Sequence, residues 1–251
     1  MVYRSKSGHI GGDLSSIDVL CALYYEILNI DPNDPNDPNR DRFIMSKGHC
    51  VESLYAVLAD IGFFPKEDLD TVQQFGSKYI GHPNKKIPGI EFSTGALGHG
   101  LSLGVGVALS GKIYKKNYMV YVLIGDGELD EGSNYEAAMA ASHYNLDNLV
   151  AIIDRNHLQI SGTTEYVMSL EPLAKRWESF GFNVKEIDGN DMDEVINALK
   201  NIKRDSKKPS VIISNTIKGK GVSFIENKKE WHHGTLNDEQ YEKALNELEG
   251  L

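Results

Sequence analysis

Cysteine is scarce in this chain. Cys21 and Cys50 are the only two among 251 residues, and they lack the close spacing of a metal-binding pair. A disulfide framework is therefore excluded, and both read as reduced core thiols of a cytoplasmic protein. Long apolar runs are missing too. None approaches the roughly eighteen residues of a membrane span, so neither insertion nor export is expected. Positive charge is in deficit, with 26 Lys and Arg against 36 Asp and Glu and a net charge of −10. That disfavours non-specific nucleic-acid binding, and it requires any phosphate-binding field to be local. What remains is ordinary for a globular chain, 41% hydrophobic and 25% charged. The length predicts one domain over residues 1–251.

The most informative stretch is Leu123-Ile124-Gly125-Asp126-Gly127-Glu128, with Asn156 thirty positions after Asp126. Residues 119–124 (MVYVLI) are apolar and rich in β-branched and aromatic types, which predicts a strand buried on both faces. Residues 133–144 read as a helix, and 149–153 (LVAII) as a second strand ending in Asp154-Arg155-Asn156. This βαβ unit predicts that Asp126 and Asn156 share the carboxyl edge of neighbouring parallel strands, where ligands of open α/β sheets bind. Their oxygens suit Mg²⁺, which takes few protein ligands beside phosphate oxygens. The Leu158 carbonyl is placed to be a third ligand. Gly127 lets its N–H approach a phosphate. Gly and Asp are also common turn residues, so GDG alone reads first as a strand-end turn; the paired Asn156 at a whole βαβ interval turns the balance to a ligand site.

Three histidines sit in glycine-flanked loops: His9 in Ser7-Gly8-His9, His49 in Lys47-Gly48-His49, and His82 in Gly81-His82-Pro83. His49 falls between a short strand (42–46) and a helix (51–61), where helix N–H groups favour anions. A helix is predicted over 14–28 and a loop over the DPNDPNDPN repeat. Residues 65–75 read as a short helix. A glycine-rich turn, Gly95-Ala96-Leu97, precedes a helix over 101–112 whose Gly104, Gly106 and Gly111 suggest close packing. Glu128, Asp130 and Glu131 crowd a helix start, which the dipole favours. Helices over 170–181 and 192–202 alternate with strands over 183–187 and 210–214, predicting a doubly wound, mostly parallel α/β sheet flanked by helices. The basic glycine-rich loop 216–221 lacks Walker spacing. It is followed by Trp231-His232-His233-Gly234 and a charged amphipathic helix from Asp238.

GDGELDEG followed by IIDRNHLQISGTT resembles the diphosphate-binding domain of transketolases, thiamine-diphosphate enzymes, and the histidine loops match in the same order from about Ser5 to Glu247. The resemblance implies thiamine diphosphate and Mg²⁺ as cofactors, with Ca²⁺ or Mn²⁺ as substitutes, and ligands Asp126, Asn156 and Leu158. It gives His49, Gly127 and Asn156 to the diphosphate, and Gly95, Ala96 and Leu97 to the aminopyrimidine. It assigns His9, His82 and His233 to the sugar and the reactive thiazolium, with His233 also touching the cofactor. His233 is preferred to His232 because the family histidine directly precedes glycine. Glu131 becomes an acid near the subunit interface. No role follows for His99.

Transketolases carry a second domain whose glutamate protonates the aminopyrimidine, and none is found here. The chain therefore looks like the N-terminal subunit of a split transketolase. It is expected to act only with a separately encoded C-terminal subunit, as a heterotetramer. Transfer of a two-carbon ketol unit between sugar phosphates, as in the pentose phosphate pathway, is the implied activity. The other readings are a component of a 2-oxo acid dehydrogenase-like enzyme and a non-catalytic, cofactor-binding protein. The chain also begins closer to SGH than family members do.

Overall fold

The computed structural model describes residues 1–250. Five parallel strands form one sheet in the order β1 (Arg42–Met45), β2 (Val120–Gly125), β3 (Leu149–Arg155), β7 (Ser210–Asn215) and β6 (Asn183–Asp188). A two-residue hairpin, β4 (Leu158–Gln159) with β5 (Gly162–Thr163), hangs from the end of β3. The helices are α1 (Val2–Ser5), α2 (Ile10–Ala22), α3 (Val51–Asp60), α4 (Gly100–Ile113), α5 (Ser133–His143), α6 (Thr164–Val167), α7 (Leu173–Ser179), α8 (Met192–Lys200) and α9 (Asp238–Glu249).

The β-branched runs behave as strands buried on both faces. Along β2, Tyr121 and Leu123 join a core with residues of α2, α3 and α8. Val120, Val122 and Ile124 join a second core with residues of α4, α5 and α7. Period-two alternation thus feeds both faces, and helices cover both. Because every pairing is parallel, the carboxyl ends of β1, β2, β3 and β7 lie along one edge. This is the doubly wound α/β sheet expected from the sequence.

Several readings differ from expectation: the short helix read over 65–75 is a 3₁₀ segment, Lys66–Thr71, and the helix read to Leu28 ends at Ala22 and passes into a π-helical turn, Leu23–Ile27. The helix predicted from Leu14 starts four residues earlier, so Gly11 and Gly12 are helical and His9 is the N-cap. The glycines are there for contact. A Cβ on Gly12 would stand 2.3 Å from Cys50 Sγ, and one on Gly11 would stand 2.7 Å from the Trp231 carbonyl oxygen. The helix predicted from Leu170 instead starts at Leu173, after Pro172, which has no N–H to donate.

The α4 glycines divide by position. Gly104 lies against the sheet, where a Cβ would meet Val122 Cγ2 at 2.6 Å, and Gly111 lies against Tyr118. Gly106 faces open space. Gly104→Ala is expected to lower stability by about 1–3 kcal/mol through overpacking. Gly106→Ala is expected to be neutral or slightly stabilising. Denaturant titration of both variants checks the pair, and equal effects would contradict this packing.

Candidate active site

The loops after β1, β2, β3 and β7 close around a cavity of about 320 Å³. Its wall holds His9, Lys47, His49, Gly95, Leu97, Asp126, Gly127, Asn156, Leu158, Lys218 and His232. A larger hollow of about 700 Å³ lies between β6 and α8, lined by residues such as Asn183, Lys185 and Asn197. It shares no residue with these loops.

Asp126 is buried at the tip of β2. Its Oδ2 accepts from the His157 N–H at 2.6 Å and from Arg155 Nη1 at 3.2 Å, and its Oδ1 accepts from the Gly127 N–H at 2.8 Å. Burial and the nearby Asp154 carboxylate push it up to about 6, against the pull of Arg155. Asn156 donates Nδ2–H to Asp154 Oδ2 at 3.0 Å, and its Oδ1 accepts from the Leu158 N–H at 3.1 Å. Those bonds fix which end of the amide is oxygen. The Leu158 carbonyl accepts from Lys218 Nζ at 3.3 Å, so it already faces a cation.

One carboxylate, one amide oxygen and one carbonyl therefore share one wall. All are hard oxygen donors, as Mg²⁺ requires. Among the described residues no three His, Cys, Asp or Glu side chains converge into a metal site. A cation held here would depend on ligand oxygens, as it does beside a diphosphate. The residues fit the group.

Beneath this wall lies a buried ion pair that sequence reading missed. Lys47 and Asp154, both about 1% exposed, are in direct contact. Lys47 also donates to the Gly12 carbonyl at 3.2 Å and to Ser16 Oγ at 2.8 Å, and Ser15 and Thr216 donate to Asp154. Burial alone would lower the ammonium and raise the carboxyl. The mutual attraction outweighs it in both, leaving Lys47 raised and Asp154 lowered. Lys218 was also missed, because the KGKG loop resembles no strict phosphate motif. It is buried, lowered by burial and by Lys47, and bonded to His232 Nδ1 at 2.9 Å. The acidic chain thus places two ammonium groups at this one edge.

The histidines form a cluster. His9 stands 5.1 Å from His49, 5.6 Å from His232 and 4.8 Å from His233, centroid to centroid. Burial lowers His9 to about 4 and His232 to about 3, and drives His49 lower still with the help of Lys47. These rings are neutral at pH 7 and both donate and accept hydrogen bonds. His233, the residue chosen for the cofactor, stands outside the cavity wall. Adjacent residues on a tight turn point apart, and it is His232 that lines the cavity and stacks on His49 at 5.3 Å. His233 is exposed and packs its ring on His9.

His82 does not line the cavity but borders it. A Cβ on Gly95 would stand 2.7 Å from His82 Cδ2. Gly95 and Leu97 face the cavity, whereas Ala96 is exposed and outside its wall. Glu131 is also exposed, beside Gly98. The sequence offered Glu128 only a dipole role. It is a buried tie, accepting from the Gly98 N–H at 2.8 Å, the Gly125 N–H at 3.1 Å and Ser46.

Fold and site together define an α/β domain whose carboxyl-edge cavity combines hard oxygen donors with two ammonium groups, a set that suits an anionic ligand and a divalent cation. Residues 1–249 match the family Transketolase, thiamine diphosphate binding domain. One of the subunits of apulose-4-phosphate transketolase from Phocaeicola vulgatus is 56% identical over 99% of this chain and 88% of its own length. The 6-deoxy-6-sulfo-D-fructose transketolase subunit of a Clostridium species is 46% identical over 96% and 88%. The crystal structure of Campylobacter jejuni transketolase superposes with a TM-score of 0.94 at 35% identity, covering 99% of this chain but 40% of that one. The chain belongs to the transketolase family, as its thiamine diphosphate binding domain. It spans about two fifths of the full-length enzyme and nearly nine tenths of the relatives that are separate subunits.

Proposed function

We propose that this chain, a single domain over residues 1–251, is the cofactor-holding subunit of a split transketolase. With a separately encoded partner, as a cytoplasmic heterotetramer, it moves a two-carbon ketol unit from a ketose to an aldose. The observation that carries this reading is the half-built site. Asp126, Asn156 and Leu158 converge as a cation wall, and His9, His49 and His232 as an imidazole cluster. Ile160, on the cavity wall, is 73% exposed, and Tyr166 and Met168, in and just after α6 downstream of the β4–β5 hairpin, are 85% and 60% exposed. Apolar surface beside a charged pocket fits a second protein that covers it. No helix among the described residues is long and apolar enough to cross a membrane.

Thiamine diphosphate, when bound, supplies the carbon that takes up and releases the ketol unit. The chain's own residues do the rest. Asp126, Asn156 and the Leu158 carbonyl hold Mg²⁺, with the Gly127 backbone beside them. The Lys47 and Lys218 ammonium groups offset the phosphate charge, and His49 and His232, as neutral imidazoles, hydrogen-bond its oxygens. Gly95 and Leu97 meet the flat ring. His9 and His82, at the mouth, hydrogen-bond sugar hydroxyls as neutral imidazoles, with His233 behind His9 and Glu131 toward the partner.

The donor is proposed to be a ketose with an anionic terminal group outside the pentose phosphate set. The separate-subunit relatives are named for apulose 4-phosphate and for 6-deoxy-6-sulfo-D-fructose, and the first of these is the more similar. The test is calorimetric titration with thiamine diphosphate and Mg²⁺, with and without the partner subunit, followed by a ketol-transfer assay on both sugars. Turnover only in the mixture is expected. Turnover by this chain alone would refute the two-subunit reading.

A further inference from the structure

Two costs meet at one joint outside the cavity wall. Glu52, on the first turn of α3, is 3% exposed, yet no cation among the described residues pairs directly with its carboxyl group, the amino terminus acting on it only from a distance. Its hydrogen-bond donor is a neutral amide, Gln73 Nε2, at 2.6 Å, and Oε2 has no partner among the described residues. Gln73 in turn holds φ at 58°, in the left-handed region. A non-glycine residue there is strained, and such strain persists only where the surroundings enforce it. A buried acid and a strained backbone at one contact are poor choices for stability alone.

The joint lies where two histidine loops touch. Gln73 Nε2 also donates to the Ser7 carbonyl at 3.3 Å, two residues before His9. Its other side faces the second loop, where a Cβ on Gly81 would stand 3.0 Å from Gln73 Oε1, next to His82. A Cβ on Gly8 would stand 3.3 Å from Glu52 Oε1. One turn along α3, on the same face, the Tyr55 hydroxyl donates to the Ile80 and His82 carbonyls, both at 3.1 Å. His82 needs such anchoring, since no α-helix or strand lies between Thr71 and Gly100. One helix therefore grips both loops, and Gln73 bridges them.

We propose that Glu52 and Gln73 are positioning residues that lock the His9 loop to the His82 loop and so set the spacing of the two histidines facing the donor sugar. This rests on the reading of His9 and His82 as sugar-binding groups. Neither Glu52 nor Gln73 touches the diphosphate wall, so the effect falls on the sugar and leaves the cofactor alone.

The assembled two-subunit enzyme tests this with three variants. Gln73→Gly keeps the left-handed backbone and removes the bridge. Glu52→Leu removes the acceptor, and Glu52→Gln restores an acceptor oxygen. In the first two the donor KM is expected to rise at least about tenfold from misplaced histidines, with thiamine diphosphate affinity within about twofold of wild type. Glu52→Gln should recover most of the loss. An unchanged donor KM, or cofactor affinity falling in step with activity, would overturn the proposal. Hydrogen exchange gives a readout independent of turnover. In Gln73→Gly, residues 7–12 and 76–83 should both exchange about tenfold faster. Faster exchange confined to 72–78 would overturn the lock. Coupled loosening in an enzyme that transfers no ketol unit would uphold the lock and sink only the transketolase reading.

Discussion

Asp126→Asn is expected to weaken thiamine diphosphate binding in the presence of Mg²⁺ by at least about a hundredfold. Two unit charges 4 Å apart interact by about 4 kcal/mol at the effective dielectric of a protein surface, nearly three powers of ten in affinity. Asparagine keeps the shape and one oxygen but removes the carboxylate that stands beside Asn156 and Leu158 in the cation wall. The fold should survive. Arg155 retains Glu165 at 2.9 Å and Glu171 at 3.0 Å, so its guanidinium is not left unpaired. The substitution also removes the cost of charging a carboxyl that burial has raised to about 6. Binding and stability therefore separate. Calorimetric titration gives the first and thermal melting the second. Affinity within about threefold of wild type, still dependent on Mg²⁺, would show that the cation sits elsewhere.

The sheet was legible because each strand announces itself locally. Val120–Ile124, Leu149–Ile153 and Val211–Ile213 are apolar runs of strand length, and the turn residues after them mark the carboxyl edge. The βαβ interval then placed Asp126 beside Asn156 without reference to any distant residue. The structure pairs Gly125 with Asp154 across β2 and β3, which is that placement. Contacts made across long stretches of chain left no such pattern. Lys47 and Asp154 are 107 positions apart, and Lys218 reaches Leu158 across 60. A lysine that will be buried looks like any other lysine in sequence, because only the assembled edge supplies its carboxylate. The same holds for Glu52, which reads as an ordinary first-turn acid favoured by the dipole until α3 is packed. His232 and His233 show the limit within a single motif. The family resemblance selects the pair, but the turn after the 3₁₀ segment Lys229–Trp231 decides which ring lines the cavity.

Asp154→Asn should be the most destabilising single change at this edge. It leaves the Lys47 ammonium about 1% exposed with no carboxylate in contact, a loss expected to be about 3–5 kcal/mol. For a domain of this size that lowers the melting temperature by about 10 °C. A second loss follows, because Asp154 Oδ2 also anchors the Asn156 amide. Asparagine keeps one oxygen where aspartate offered two, so an NH₂ group must face either Thr216 or the Lys47 and Asn156 donors; the Asn156 amide is held less firmly, and Mg²⁺ affinity should fall about tenfold or more even below the new melting point. The pair is also expected to be worse broken than absent. Replacing both residues, as Lys47→Met with Asp154→Leu, removes the stranded charge and should recover part of the stability. It cannot recover all of it, since Ser15, Thr216 and Asn156 each lose the acceptor that Asp154 gave them. A double-mutant cycle on melting and on Mg²⁺ titration separates the two effects. If Asp154→Asn melts within about 2 °C of the wild type, the buried pair is not what holds this edge together.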